Sequence, residues 1–245
     1  MLRDAGDAAF VLEFGAAIDP TLLARVGALD RHVRALQAQG RLDGLRETVP
    51  TFRSLALLFD PLVTSPRTLL ESIAGSASAD AAAAEPERDE DSRAWSLPVL
   101  YGGKHGPDLG ELALEAGLSE ADVVARHRDT PLAAYMLGFL PGFAFLGDID
   151  PALRLPRRTV PRTRVPAGSV AVANALSAVY PWESPGGWHL IGHCPVPLFD
   201  ATRSVPALLA ASDRVSFRSV DADEHTRLAA EAAAGALDPG RFRLR

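Results

Sequence analysis

The chain has 245 residues, 47% of them apolar, a formal net charge of −6 and a sequence pI near 5.5. That length holds one large domain or two modest ones with separate cores, and the apolar share excludes a disordered chain. An acidic balance without a basic patch argues against a general nucleic-acid or anionic-membrane binder. Lys104 is the only lysine, and Cys194 is the only cysteine. A lone cysteine forbids an intrachain disulfide and fits a reducing, cytoplasmic setting. The start, MLRDAGDAAF, carries two aspartates and no basic-then-apolar run, so no secretory signal is expected. The most apolar window, 132–146, is cut by Gly138, Pro141 and Gly142 and is too short to span a bilayer.

The first strand is expected at Phe10–Phe14, between Gly6 and Gly15. Asp19-Pro20 offers a helix cap followed by proline at the first helical position. Leu22, Val26, Leu29, Val33 and Leu36 then recur at helical spacing until Gly40. Leu55–Phe59 is a continuous apolar run that suits a buried strand, and Ser65-Pro66 opens a second helix carrying Leu69, Leu70 and Ile73. This β-α-β-α order predicts a small α+β sandwich over residues 1–75. Residues 76–93 are rich in alanine and acidic side chains and lack large apolar ones; they read as a linker, or else as a surface helix on the alanine run.

After the linker, a strand is expected at Trp95–Tyr101 and two short helices at Asp108–Ala116 and Ser119–His127, the second opened by a Ser119/Asp122 capping box. Short apolar runs then alternate with glycine and proline turns, which predicts a closed or nearly closed β-barrel over 94–222. Residues 223–245 read as a polar C-terminal helix and a basic tail. The fold class is α+β.

The densest conformational punctuation lies between Tyr135 and Asp200, in PRTRVPAGSV, VYPWESPGGWHLIGH and PVPLFD. Gly168, Gly186 and Gly187 allow backbone angles closed to other residues, and Pro161, Pro166, Pro181 and Pro185 fix φ. Arg157, Arg158, Arg162 and Arg164 supply planar forks suited to carboxylate or phosphate. The segment reads as a shaped polar site on short strands and turns. No GxxxxGK[ST] phosphate loop exists; YGGKHG at Tyr101–Gly106 lacks its spacing and context. His189 and His193 superficially suggest metal spacing, but four residues along a strand separate them by about 13 Å. No metal site is expected.

These motifs resemble the family of 5-oxoprolinase B subunits, also called allophanate hydrolase subunit 1 or KipI-like. The likeness runs from Gly6 to Phe217 and includes GDAAFVLEFG, ETVPTFRSLALLFDP, YMLGFLPGFAFLG, PRTRVPAGSV and YPWESPGGWHLIG. It implies an N-terminal α+β domain followed by a cyclophilin-like barrel. It further implies two partners, a homologous C component (allophanate hydrolase subunit 2-like) and a LamB/YcsF-type A component. With these, such proteins open 5-oxoproline to glutamate at the expense of ATP. The nucleotide, with any Mg²⁺, then belongs to the complex and not to a phosphate loop of this chain. Related members suggest two alternatives: a KipI-like inhibitor that binds a sensor histidine kinase, or a component of allophanate- or urea-related chemistry. The chain also departs from the family's usual pattern. Leu176 stands where glutamine is usual, Ala171, Asn174, Ala178 and Asp148 where glycines are usual, and Phe145 where tyrosine is usual, which leaves the substrate open.

Weighed residue by residue, the catalytic candidates are His127, Glu183 and Arg164. His127 matches a histidine usual in the family and is either a general acid/base or a cap at a helix C-terminus. Arg164, with Arg162 two residues away on the same face of an extended segment, holds anionic groups or pairs with a surface carboxylate. Glu183 is a base, an orienter of arginine, or a structural ion-pair partner. Ser169 binds phosphate or satisfies a turn. Ser184, Gly186 and Gly187 shape the turn beside Glu183. Phe139, Phe143, Tyr180 and Trp188 are expected to wall the site or a partner interface.

Overall fold

The computed structural model describes residues 1–76 and 92–244, and the chain divides into two compact units, Met1–Ser92 and Arg93–Arg245. Nearly all of the expected linker lies outside the described residues.

The first unit contains β1 (Leu2–Asp4), β2 (Ala9–Glu13), α1 (Pro20–Ala38), β3 (Leu45–Pro50), β4 (Ser54–Phe59) and α2 (Pro66–Ser76). Its antiparallel sheet has the order β1-β2-β4-β3. Asp19 caps α1 by accepting from the Thr21 and Leu22 amides, satisfying donors that a helix start leaves orphaned. Leu55, Leu57 and Phe59 of β4 are buried while the residues between them are only partly so. The apolar run therefore belongs to a strand with one covered face, not to a doubly buried one. Phe10, Val26, Val33, Leu36, Leu69 and Ile73 complete this core. Two strands escaped the sequence reading: β1 is only three residues long, and β3 (LRETVP) is too polar to stand out.

The second unit contains β5 (Ala94–Tyr101), α3 (Leu109–Ala116), α4 (Glu120–Asp129), β6 (Leu132–Leu137), β7 (Ala144–Gly147), β8 (Arg162–Val165), β9 (Ser169–Ala173), β10 (Leu176–Val179), β11 (Ser184–Gly186), β12 (His189–His193), β13 (Arg214–Ser219) and α5 (Ala222–Ala233). Seven of these strands close a barrel in the order β10-β7-β6-β13-β5-β12-β9, as expected, and β8 and β11 form a separate two-stranded ribbon. Only the β5/β13 pair is parallel. Its base is tied by buried Asp213, which accepts from the Arg93 guanidinium, the Trp95 indole and the Ala210 amide. The capping box of Ser119 and Asp122 is present at α4.

The C-terminal residues are not a tail. Leu228, Leu237 and Phe242 enter the barrel unit's core, and the Leu244 amide donates to the Ala94 carbonyl. Apolar side chains spaced through a charged segment were enough to dock it, which its basic composition concealed.

Candidate functional site

Arg162 and Arg164 lie on β8, and Ser169 opens β9 just beyond the Pro166–Gly168 turn. Gly168 is required there. Its φ is +79°, and a Cβ would stand 2.4 Å from His193 Nε2 and 2.6 Å from the Cys194 carbonyl oxygen. Arg162, Arg164 and Ser169 line one cavity of about 180 Å³ together with Lys104, His105 and His193. Lys104 and His105 come from a single 3₁₀ turn, Gly103–His105. That turn can press against β12 because position 106 has no side chain; a Cβ there would sit 2.1 Å from the Ile191 carbonyl oxygen. The glycines of YGGKHG thus dock a lysine–histidine turn and do not cradle a phosphate.

Buried Asp108 anchors Arg162, one of the lining residues. Its Oδ1 accepts from Arg162 Nη2 at 2.6 Å and Arg158 Nη1 at 3.1 Å, and its Oδ2 accepts from the Leu190 amide at 2.7 Å. The carboxylate is thereby paired and hydrogen-bonded on both oxygens, the condition for burying a charge. Arg162 retains one buried nitrogen, Nη1, without a partner among the described residues. Sequence reasoning missed Asp108, because PDLG reads only as a helix start.

Arg164 and Glu183 form a bidentate pair, Nε–Oε1 3.0 Å and Nη2–Oε2 2.8 Å. Their side chains are 76% and 52% exposed, so the pair contributes little to stability. The Arg164 hydrogen bonds hold the Glu183 carboxyl below its usual range. Lowering its pKa weakens it as a base, so the geometry favours its role as the group that orients Arg164.

The remaining expected residues lie elsewhere. His127 is buried, with Nδ1 2.8 Å from the Tyr101 hydroxyl, Nε2 2.8 Å from Ser177 Oγ, and its ring stacked on Phe217. Burial lowers its pKa to about 3. A neutral imidazole locked between two hydroxyls is a core polar contact, neither an exposed acid/base nor a helix cap. Phe143, Tyr180 and Trp188 are also buried, packed edge-to-face around Phe143. They are core, not walls of the cavity. Phe139 alone of that group is exposed, and it adopts φ +69°, an uncommon conformation for a bulky residue. Ser184 is buried, and its hydroxyl makes a long bond to the Pro185 carbonyl. Gly186 leaves room for the Tyr180 hydroxyl, which a Cβ would approach to 2.4 Å. Gly187 accepts from the Arg158 amide. The Cys194 thiol is buried and pushed up to about 12, which leaves it inert.

A grouping invisible along the sequence completes the site. His105, His193 and His225 present ring nitrogens within 4.8 Å of one another. His189, which sequence spacing paired with His193, is not among them; its Nε2 donates to the Pro156 carbonyl. A larger recess of about 420 Å³ beside α5 is lined by Arg218, Glu224, Arg227 and Arg241, charges that have ion-pair partners within this unit.

The family described as "Carboxyltransferase domain, subdomain C and D" matches residues 1–209. The chain belongs to that family. It is 34% identical to the B subunit of 5-oxoprolinase from Bacillus subtilis (strain 168), over 91% of this chain and 95% of that protein. It is 47% identical to the B subunit of 5-oxoprolinase from Escherichia coli O157:H7, over 55% of this chain and 60% of that protein. Among solved structures, TTHA0988 superposes with a TM-score of 0.74 at 38% identity, over 87% of this chain and 40% of that one. The chain therefore spans less than half of that structural relative.

Asp148 and Asn174 both adopt left-handed backbone, φ +69° and +54°. Asp and Asn tolerate that region better than other residues with a side chain, and Asp148 also accepts from the Tyr135 hydroxyl at 2.8 Å. Leu176 and Phe145 both pack against the cluster of Phe143, Tyr180 and Trp188. Among the described residues, no helix is long and apolar enough to cross a membrane.

Proposed function

We propose that the chain is the B component of an ATP-dependent 5-oxoprolinase that opens 5-oxo-L-proline to L-glutamate, acting with a homologous C component and a LamB/YcsF-type A component. The observation that carries this reading is the convergence of Arg162, Arg164, Lys104 and Ser169 on one small cavity, in a chain whose relatives are named as B subunits of 5-oxoprolinase.

Lactam opening needs cations for the substrate carboxylate and for charge that develops at the amide oxygen. Arg162 is fixed by Asp108 and lines the cavity, so its guanidinium is preorganised for a carboxylate. Lys104 is exposed and has no ion-pair partner among the described residues, which leaves it available to a second anionic group. Arg164 is oriented by Glu183, and Ser169 offers a hydroxyl. The cavity, about 180 Å³, is smaller than the roughly 300–1,000 Å³ of pockets that enclose drug-sized ligands. It suits a five-membered lactam acid and not a whole nucleotide. ATP is accordingly assigned to a partner or to a surface completed by one, and this chain holds and orients the small acid.

The test is reconstitution. Mixing this chain with its cognate C and A components is expected to release glutamate from 5-oxoproline only when ATP is present. No turnover with all three components assembled overturns the activity.

A further inference from the structure

We propose that His105, His193 and His225 form a three-histidine site for a divalent transition metal, Zn²⁺ being the best-suited ion, whose fourth position opens toward the cavity that holds Arg162 and Ser169. The proposal stands apart from the 5-oxoproline reading, because it concerns ligation by this chain alone.

Three separate elements bring the imidazoles together: the 3₁₀ turn Gly103–His105, the last residue of β12 and the first turn of α5. The potential ligand atoms all lie within 4.8 Å of one another, and the ring centroids are 4.8–5.2 Å apart. His193 carries the mark of an oriented ligand. Its Nε2 donates to the Ala167 carbonyl at 3.1 Å, which fixes the proton on that nitrogen and turns the Nδ1 lone pair toward the other rings. Metal-bound histidines almost always spend their second nitrogen in this way. Gly168 permits the contact, since a Cβ there would meet His193 Nε2 at 2.4 Å.

In the metal-free arrangement His225 Nε2 stands 2.8 Å from His193 Nδ1 and donates to it. Ligation needs His225 to shift its proton to Nδ1 and the two nitrogens to separate to about 3.3 Å, the edge of a tetrahedron with Zn–N distances of about 2.0–2.1 Å. That pair opens by about half an ångström, while nitrogens now as much as 4.8 Å apart close by up to about 1.5 Å. Three neutral imidazoles with one open position suit Zn²⁺ better than the hard cations, which select oxygen ligands.

The nearby positive charge sets the cost. Arg162 is compensated by Asp108 and Arg164 by Glu183. The uncompensated neighbour is Lys104, and its exposure lets solvent screen it. A small anion at the fourth position removes the remainder. Two of the three histidines line the cavity together with Arg162 and Ser169, so the proposed metal position and the arginine share one cavity.

The experiment is Zn²⁺ titration of the full chain against a chromophoric chelator at pH 7.5, with Co²⁺ as a spectroscopic substitute. One equivalent is expected to bind. His105→Ala and His225→Asn are each expected to weaken binding by about a hundredfold or more, while His32→Ala, in the first unit, leaves it unchanged. Bound Co²⁺ is expected to give the intense visible bands of a four-coordinate site. Folded His105→Ala and His225→Asn proteins that keep wild-type affinity overturn the site. So does a wild-type protein that takes up no stoichiometric Zn²⁺ or shows only weak, octahedral Co²⁺ bands, and this arm decides the matter even where a variant fails to fold.

Discussion

The buried imidazole of His127 predicts a specific acid sensitivity of the barrel unit. In the folded chain its pKa is lowered to about 3 by burial, whereas an unfolded histidine titrates near 6.5. The neutral form is the one the fold accepts. Its contribution to stability is therefore fully present above about pH 6.5 and is lost as pH falls from there toward 3. Between pH 7.5 and 5.0 the linkage relation gives a loss of about 2 kcal/mol from this one residue. All three tryptophans, Trp95, Trp182 and Trp188, lie in the second unit, so tryptophan fluorescence in urea reports that unit alone. The wild type is expected to lose about 2 kcal/mol more than His127→Gln between the two pH values, with histidines common to both cancelling. The ring proton shifts of His127 are expected to stay constant over the same range. Equal losses in wild type and variant, or a His127 that titrates near 6.5, refute the reasoning.

Further outcomes follow from the cavity and its supports. Asp108→Asn leaves Arg158 and Arg162 paired with a neutral group, and breaking a buried pair of this kind is expected to cost about 3–5 kcal/mol, read from urea unfolding; a cost under 1 kcal/mol contradicts the assigned role of Asp108. Gly168→Ala combines φ +79° with a Cβ 2.4 Å from His193 Nε2, so a loss of about 1–3 kcal/mol is expected, together with altered His193 resonances. Arg164→Lys in the assembled enzyme is expected to lower kcat/KM by roughly ten- to a hundredfold, because lysine cannot keep the planar two-point geometry; wild-type kinetics in a stably assembled complex would make the residue a surface ion-pair partner only. Arg162→Lys is expected to raise KM for 5-oxoproline more than it lowers kcat, and an unchanged KM separates Arg162 from the substrate carboxylate.

The sequence by itself determined the elements whose signals are local. Asp19-Pro20 starts α1 because a carboxylate acceptor and a preset φ serve the first turn. Ser119 and Asp122 start α4 through their reciprocal bonds. The alternation of apolar runs with glycine and proline turns gave the barrel, and the arginines of PRTRVPAGSV pointed to the cavity they line. Only the tertiary structure decided what depends on contacts between distant residues. His127 and Arg164 look alike along the chain, each a charged-type residue beside a short element, yet one is sealed between Tyr101 and Ser177 and the other is exposed against Glu183. Phe143, Tyr180 and Trp188 read as rim residues and became core because barrel closure encloses them. Lys104 and His105 sat in a motif dismissed for lacking phosphate-loop spacing, and a lysine beside a histidine in a glycine turn was the one signal that marked them. His225 lay 32 residues beyond His193, a separation no local period reports. Burial and proximity are properties of the closed chain, and so the chemistry of this site was written in its turns but assembled only by its fold.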